Sequence, residues 1–233
     1  MQTISVSSDL KGIEIAKEKL YEAVDKKTVL YLSGGRTPAP LYRKFAKDPP
    51  AGRQEKLFRP GAVAIVDERW GKPMHGNSNE KMIKDVGFWD YLKTNGVPFY
   101  GVLENKSLTE TAKDYDETVR YLLKWFPKNV AVLGMGSDGH IASIPAGNEK
   151  LRTKNEKLVE EFDDFPGEQK ERISLTFNAL SQMDQIFLLV FGNDKKKALK
   201  HLFEDGPVEE IPARFLNTPQ VTDKVVLITD QKV

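Results

Sequence analysis

The chain has 233 residues, a formal net charge of +1 and no cysteine. That length suits one large α/β domain or two small ones, and the balanced charge offers no basic footprint for nucleic acid or an anionic membrane. Without cysteine there is no disulfide, no thiolate nucleophile and no thiolate metal ligand, while 39% hydrophobic against 30% charged residues allows a sizeable core beneath a soluble surface.

The opening "MQTISVSSDLKGIEIAKEKL" shows no basic segment leading into an apolar one, so no secretory signal is expected. No apolar run approaches the roughly 20 residues that span a bilayer, and a cytoplasmic location is the expectation. Residues 10–24 space Leu10, Ile13, Ala16, Leu20, Ala23 and Val24 for a helix, with Ser8 or Asp9 as its cap. "TVLYLS" (28–33) predicts a strand ending at Gly34 and Gly35, and "TPAPLYRKFA" a helix with Thr37 as N-cap and Pro38 in its first turn. "AVAIVD" (62–67) predicts a strand, "SNEKMIKDV" (78–86) a capped helix, "PFYGVL" a strand, and residues 107–126 a long amphipathic helix. "NVAVLGMG" (129–136) and "DQIFLLVFG" (184–192) are further apolar strands. A helix "DKKKALKHLFE", a short helix "PARFLN" and a last strand "KVVLIT" (224–229) follow.

Continuous apolar strands alternating with helices predict a three-layer α/β/α fold, with a mainly parallel, Rossmann-like sheet covered on both faces. Residues 151–177 break that rhythm and predict a small β-rich excursion with a Pro-Gly turn at 166–167. Nothing in the composition demands a second domain, so residues 1–233 are expected to form one.

In open α/β sheets, ligands bind outside the carboxyl ends of the strands. Three polar clusters fall there: "SGGRTP" (33–38), "DERW" (67–70) and "GMGSDGH" (134–140). Gly34 and Gly35, followed by Arg36 and Thr37 before a helix, let backbone N–H groups approach an anion, although a tight turn needs the same glycines. Asp67, Glu68 and Arg69, taken alone, read more readily as a surface ion-pair cluster or a helix-capping acid than as a site. His140 stands among Gly134, Gly136 and Gly139 two residues from Asp138, a setting in which a carboxylate can orient a general base. His75 and His201 lie far away in sequence, and no paired-histidine spacing suggests a metal. By themselves, Arg172 and Lys195 read as an ordinary flanking arginine and part of a solvated lysine run.

Taken together, the clusters resemble the 6-phosphogluconolactonase family, within the group that includes glucosamine-6-phosphate isomerases/deaminases. "SGGRTPAPLY" resembles SGGSTP-x-x-LY, "DERW…HGNSNEKM" resembles DERW…DSN-x-x-M, and "GMGSDGHIAS" resembles GMG-x-DGHTAS. "RISLTFNAL", "LVFGNDKKKAL" and "IPARFL" match later segments in the same order. The chain departs at Arg36, where serine is usual, and in "GHIASIPAGN", where Ile141 replaces threonine. Ile141 is the residue of the deaminases, but these carry an acid after G-H-I-A and read Asp-Glu-Tyr in the second motif. Here Ser143, Ile144 and Pro145 follow, and the second motif is "DERW".

The resemblance implies a cofactor-independent hydrolase that opens 6-phospho-D-glucono-1,5-lactone in the oxidative pentose phosphate pathway. His140 would act as general base, oriented by Asp138 or Asp67, with Gly34, Gly35 and Arg69 facing the developing oxyanion or substrate hydroxyls. Arg172 and Lys195, carried over from the family's phosphate contacts, would hold the phosphate with Arg36 and Thr37. The alternatives are a deaminase-like sugar-phosphate enzyme or a catalytically silent sugar-phosphate sensor. The expected partner is the small-molecule lactone, with no nucleic acid, no membrane and no metal, acting as a monomer or small homo-oligomer.

Overall fold

The computed structural model describes residues 1–47, 57–148, 150 and 156–232. Five apolar runs bury essentially every position and become the strands of one sheet: β2 (Thr28–Leu32), β3 (Ala62–Ile65), β6 (Lys128–Gly134), β9 (Gln185–Val190) and β10 (Val225–Thr229). Side chains that need cover on both faces can only sit between two helical layers. Two short strands close the edges, β1 (Gln2–Ser5) and β5 (Phe99–Tyr100), giving the order β1-β10-β9-β6-β2-β3-β5. Every pairing in this sheet is parallel. Connections from β2 run to β3 on one side, while β6 lies on the other. The crevice where the order reverses therefore opens at the ends of β2 and β6, the position that binds ligands in such sheets.

Among the described residues, seven helices accompany the strands: α1 (Asp9–Ala23), α2 (Ala39–Lys47), α3 (Asn79–Asp85), α4 (Phe88–Thr94), α5 (Leu108–Trp125), α6 (Phe177–Ser181) and α7 (Lys196–Phe203). Ser8 caps α1 by accepting the Lys11 N–H, and Ser107 with Glu110 forms a reciprocal capping box on α5. "PARFLN" is a 3-10 turn, Pro212–Asn217. An aromatic cluster of Tyr21, Phe45, Phe58, Phe88 and Tyr91 packs among α1, α2 and α4, with Phe45 and Phe58 stacked at 3.8 Å.

A second, antiparallel sheet of three strands runs β4 (Asp67–Arg69), β8 (Arg172–Leu175), β7 (Val159–Phe162). Its strands β7 and β8 are the expected β-rich excursion, and β4 joins them from the 62–69 segment. Residues 151–155 of the excursion lie outside the described residues, and Gly167 takes φ +98° beside Pro166.

Several boundaries differ from the sequence reading. The run 62–67 is not one strand: Val66 donates its N–H to the Leu32 carbonyl of the large sheet and accepts the Leu175 N–H of the small one, so Asp67 starts a strand of the other sheet. Thr37 does not cap α2; it lies in a turn, and the Pro38 carbonyl accepts the first helical N–H groups, from Leu41 and Tyr42. "PFYGVL" shrinks to two strand residues, because Glu80 takes the Val102 and Leu103 N–H groups that would have extended the ladder. The edge strand β1 and the short helices α4 and α6 were not anticipated.

Where β3 leaves the large sheet, its last residue is satisfied from a helix. The buried Tyr115 hydroxyl, from α5, donates to the Ile65 carbonyl at 2.5 Å and accepts the Ile65 N–H at 2.7 Å. Tyr115→Phe should leave both buried groups unpaired and destabilise the protein by about 2–4 kcal/mol, read as a lower urea midpoint at unchanged denaturant slope.

Candidate active site

The ends of β2, β6 and β9 and the edge of the small sheet enclose a cavity of about 740 Å³, within the range of small-molecule sites. Nine of the ten residues singled out from sequence line it: Gly34, Gly35, Arg36, Thr37, Asp67, Arg69, His140, Arg172 and Lys195. Asp138 does not line the cavity; it stands behind His140.

After β2, the Ser33 N–H still bonds the Val132 carbonyl, and the Tyr42 hydroxyl of α2 holds the Ser33 carbonyl at 2.8 Å. Gly35 then turns the chain at φ +96°, a conformation that L side chains rarely adopt. A Cβ at Gly34 would overlap the Asn79 side chain, so that glycine is required by close approach.

After β6, Met135 and Ile141 bridge the two arms of a short loop, and within it the Gly136 N–H bonds the His140 carbonyl at 2.9 Å. The Asp138 carboxylate accepts both from the His140 backbone N–H (3.2 Å) and from ring Nδ1 (2.6 Å). This contact decides between the two candidate carboxylates: Asp138, not Asp67, holds the imidazole. The hydrogen bond from His140 pulls the Asp138 carboxyl down to about 2 despite partial burial, so it is ionised at neutral pH and accepts only. Nδ1 therefore donates to Asp138, and among the described residues Nε2 has no hydrogen-bond partner. A Cβ at Gly136 would overlap this pair. From behind, the Ala213 N–H of the "PARFLN" turn bonds the Gly139 carbonyl at 2.9 Å.

Asp67 is buried, and its carboxylate accepts from Ser143 Oγ at 2.6 Å while its carbonyl accepts from Asn79 Nδ2 at 2.6 Å. Glu68, fully buried, receives the N–H groups of Arg69, Asn79 and Glu80 and the Ser78 hydroxyl. Burial pushes its carboxyl up to about 7 even against those donors. It secures the start of α3 rather than facing substrate. Arg69 Nη1 donates to the Asn77 carbonyl at 2.7 Å, and its buried Nε has no partner among the described residues. His75 braces the same loop, with Nε2 donating to the Arg69 carbonyl at 2.9 Å.

Arg172 lies directly opposite Arg69 in the small sheet. Burial first, and Arg69 second, lower its guanidinium to about 10, so it is still a cation at neutral pH. Its Nε donates to the Gln169 carbonyl at 2.8 Å; its terminal nitrogens have no hydrogen-bond partner among the described residues. Lys195 follows β9 in a turn pinned by Gly192 N–H to Asp230, and its Nζ lies 3.4 Å from Asp194. The cavity is thus lined by the His140 imidazole and by four cations, Arg36, Arg69, Arg172 and Lys195. Such an arrangement suits an anionic substrate and proton transfer. Among the described residues, no three histidine, aspartate or glutamate side chains converge as a metal site, and no helix is long and apolar enough to cross a membrane.

Sequence reasoning missed Asn79, Ser143 and Phe165. Asn79 and Ser143 sit inside the quoted motifs and were legible there; Phe165 lies in the excursion, where no pattern marks it.

A sequence profile of the family described as glucosamine-6-phosphate isomerases/6-phosphogluconolactonase matches residues 11–226. The 6-phosphogluconolactonase of Thermotoga maritima is 32% identical over 214 residues, covering 91% of this chain and 90% of its own length. That of Helicobacter pylori is 30% identical over 221 residues, with coverage of 91% and 90%. Among solved structures, a 6-phosphogluconolactonase from Shewanella baltica superposes with a TM-score of 0.79 at 21% identity, covering 98% of this chain and 97% of its own. The Thermotoga maritima structure gives 0.73 at 26% identity, covering 97% of each.

His140→Asn removes the largest cause of the Asp138 shift. The carboxyl should rise from about 2 toward its ordinary value near 3.8, read by NMR titration of the side-chain carboxyl carbon.

Proposed function

The chain belongs to the glucosamine-6-phosphate isomerase/6-phosphogluconolactonase family, and we infer that it is the lactonase of that pair: it hydrolyses 6-phospho-D-glucono-1,5-lactone to 6-phospho-D-gluconate in the oxidative pentose phosphate pathway. The observation that carries the mechanism is the His140–Asp138 pair, with Nδ1 bound at 2.6 Å in a residue that lines the cavity.

A δ-lactone is an activated ester, so water can attack it without a covalent enzyme intermediate. His140 Nε2 takes a proton from water as its oxygen bonds to C1, and the C1 carbonyl becomes an oxyanion. The cation that forms on the imidazole is stabilised by ionised Asp138. Backbone N–H groups at Gly34 and Gly35, together with Arg69, face the oxyanion or neighbouring hydroxyls. Collapse of the tetrahedral intermediate breaks the bond from C1 to the ring oxygen, which receives the proton from His140. The phosphate is held by Arg172 and Lys195, joined by Arg36 and Thr37 at the turn before α2. Asp67 remains a cavity carboxylate for substrate hydroxyls, set in place by Ser143 and Asn79.

The deaminase alternative calls for an acid after Ala142. Ser143, Ile144 and Pro145 supply none, and Ser143 Oγ is committed to Asp67.

A coupled assay that follows 6-phosphogluconate above spontaneous hydrolysis tests the activity itself. In that assay His140→Asn should lower kcat by about 10²–10⁴-fold while binding survives, because asparagine cannot take the proton. A folded variant turning over at the wild-type rate would remove His140 from proton transfer.

Arg172→Ala or Lys195→Ala should instead act mainly on KM, raising it by about 10- to 100-fold for the loss of one charge-assisted contact of roughly 1.5–3 kcal/mol. Unchanged KM in both variants would take these residues out of the phosphate site.

A further inference from the structure

One buried aromatic residue touches both ends of this machinery. Phe165 lies in the loop between β7 and β8, is 6% exposed and lines the cavity. Its ring meets the His140 imidazole at 5.1 Å between centroids with the planes at 85°, the perpendicular geometry that aromatic pairs favour. The Arg172 guanidinium carbon lies 4.5 Å from the centroid of the same ring, within cation–π range. The loop is itself held in shape: the Phe165 N–H bonds the Lys170 carbonyl at 3.1 Å, Gly167 turns at φ +98°, and the Gln169 carbonyl accepts from Arg172 Nε. Arg172 is thus gripped from two sides by one loop, and the imidazole leans on the ring that provides one of them.

We propose that Phe165 is a positioning residue that sets the imidazole of His140 and the guanidinium of Arg172 relative to each other, and so couples proton transfer to phosphate capture. This rests on the assignment of His140 as base and Arg172 as phosphate ligand. The physical case lies in freedom lost on binding. Among the described residues, the His140 ring is tethered only at Nδ1, to Asp138, which permits rocking about that bond. Among the described residues, the Arg172 side chain has one hydrogen bond, at Nε. A flat ring against both suppresses these motions before substrate arrives, and the same ring supplies π-electron density to a cation that already faces Arg69. An aliphatic side chain of similar volume fills the space but offers no such face.

The test separates ring from volume. Wild type, Phe165→Leu, Phe165→Met and Phe165→Tyr are compared in the coupled assay, each checked for folding by thermal melting. The leucine and methionine variants should lose about 3- to 30-fold in kcat and gain a similar factor in KM, the combined signature of a disturbed base and a loosened clamp. The tyrosine variant, which keeps the ring, should stay within about threefold of wild type. A folded leucine or methionine variant with wild-type kcat and KM overturns the proposal. So does a change in KM alone, or a tyrosine variant as poor as leucine. Two signals need no turnover: the imidazole nitrogen resonances of His140 should move in the leucine variant, and inorganic phosphate should bind it more weakly. A wild type that fails to open the phosphorylated lactone defeats the hydrolase reading, and these two signals then decide the role of Phe165.

Discussion

At Ile65 and Val66 the chain steps from one sheet to another, and the rest of the site depends on how the backbone is satisfied there. Val66 gives its N–H to Leu32 in the large sheet and receives the Leu175 N–H from the small one, while the Tyr115 hydroxyl takes both polar groups of Ile65. A buried strand cannot simply stop, because each unpaired N–H or C=O costs free energy comparable to a lost hydrogen bond. Distributing four backbone groups over two sheets and one tyrosine lets the strand end inside the protein. Asp67 and Arg69 are thereby carried onto the edge of the small sheet, opposite Ser174 and Arg172, over the crevice between β2 and β6.

That step has an electrostatic consequence. Directly opposed like charges destabilise an antiparallel pair, yet Arg69 and Arg172 face each other with Arg172 largely buried. The surroundings soften the repulsion: Asp67 and Glu68 lie close enough to favour the Arg172 cation, Asn77 and Gln169 carbonyls take hydrogen bonds, and Phe165 presents a π-face. A bound phosphate would relieve what remains. Strain of this kind is tolerated at functional positions because the core elsewhere offsets it.

Two glycines shape the cavity by steric permission. Gly34 admits Asn79 and Gly136 admits the His140–Asp138 pair. In each case a side chain fills the space that a Cβ would need, from a distant segment at Gly34 and from the same loop at Gly136. The glycines are therefore part of the site by what they leave open, and Asn79 and Asp138 translate that space into oriented hydrogen bonds to Asp67 and His140.

From the sequence alone, the buried strands were legible, because runs such as "TVLYL" and "QIFLLV" have no polar face and can only lie between two layers. The helix starts at Ser8, Ser78 and Ser107 were legible for a local reason too, since a cap bonds N–H groups two or three residues away. The polar clusters at strand ends followed from the same local patterns, and with them about half of the cavity lining; Arg172 and Lys195 entered only through the family resemblance. What the tertiary structure alone decided involves partners far apart in the chain. Whether Asp138 or Asp67 holds the imidazole depended on where the small sheet carried Asp67, and Ser143 claimed it from 76 positions away. The division of 62–69 between two sheets rested on Tyr115, 50 residues onward, and nothing in "AVAIVDER" announces it. The four-residue β1 is mostly exposed and forms only by pairing with β10 at the other end of the chain. Phe165 gained its place against His140 and Arg172 from the packing of one loop. Local propensity reads neighbours a few residues apart; pairings across tens of residues are set by which buried groups find partners when the whole chain closes.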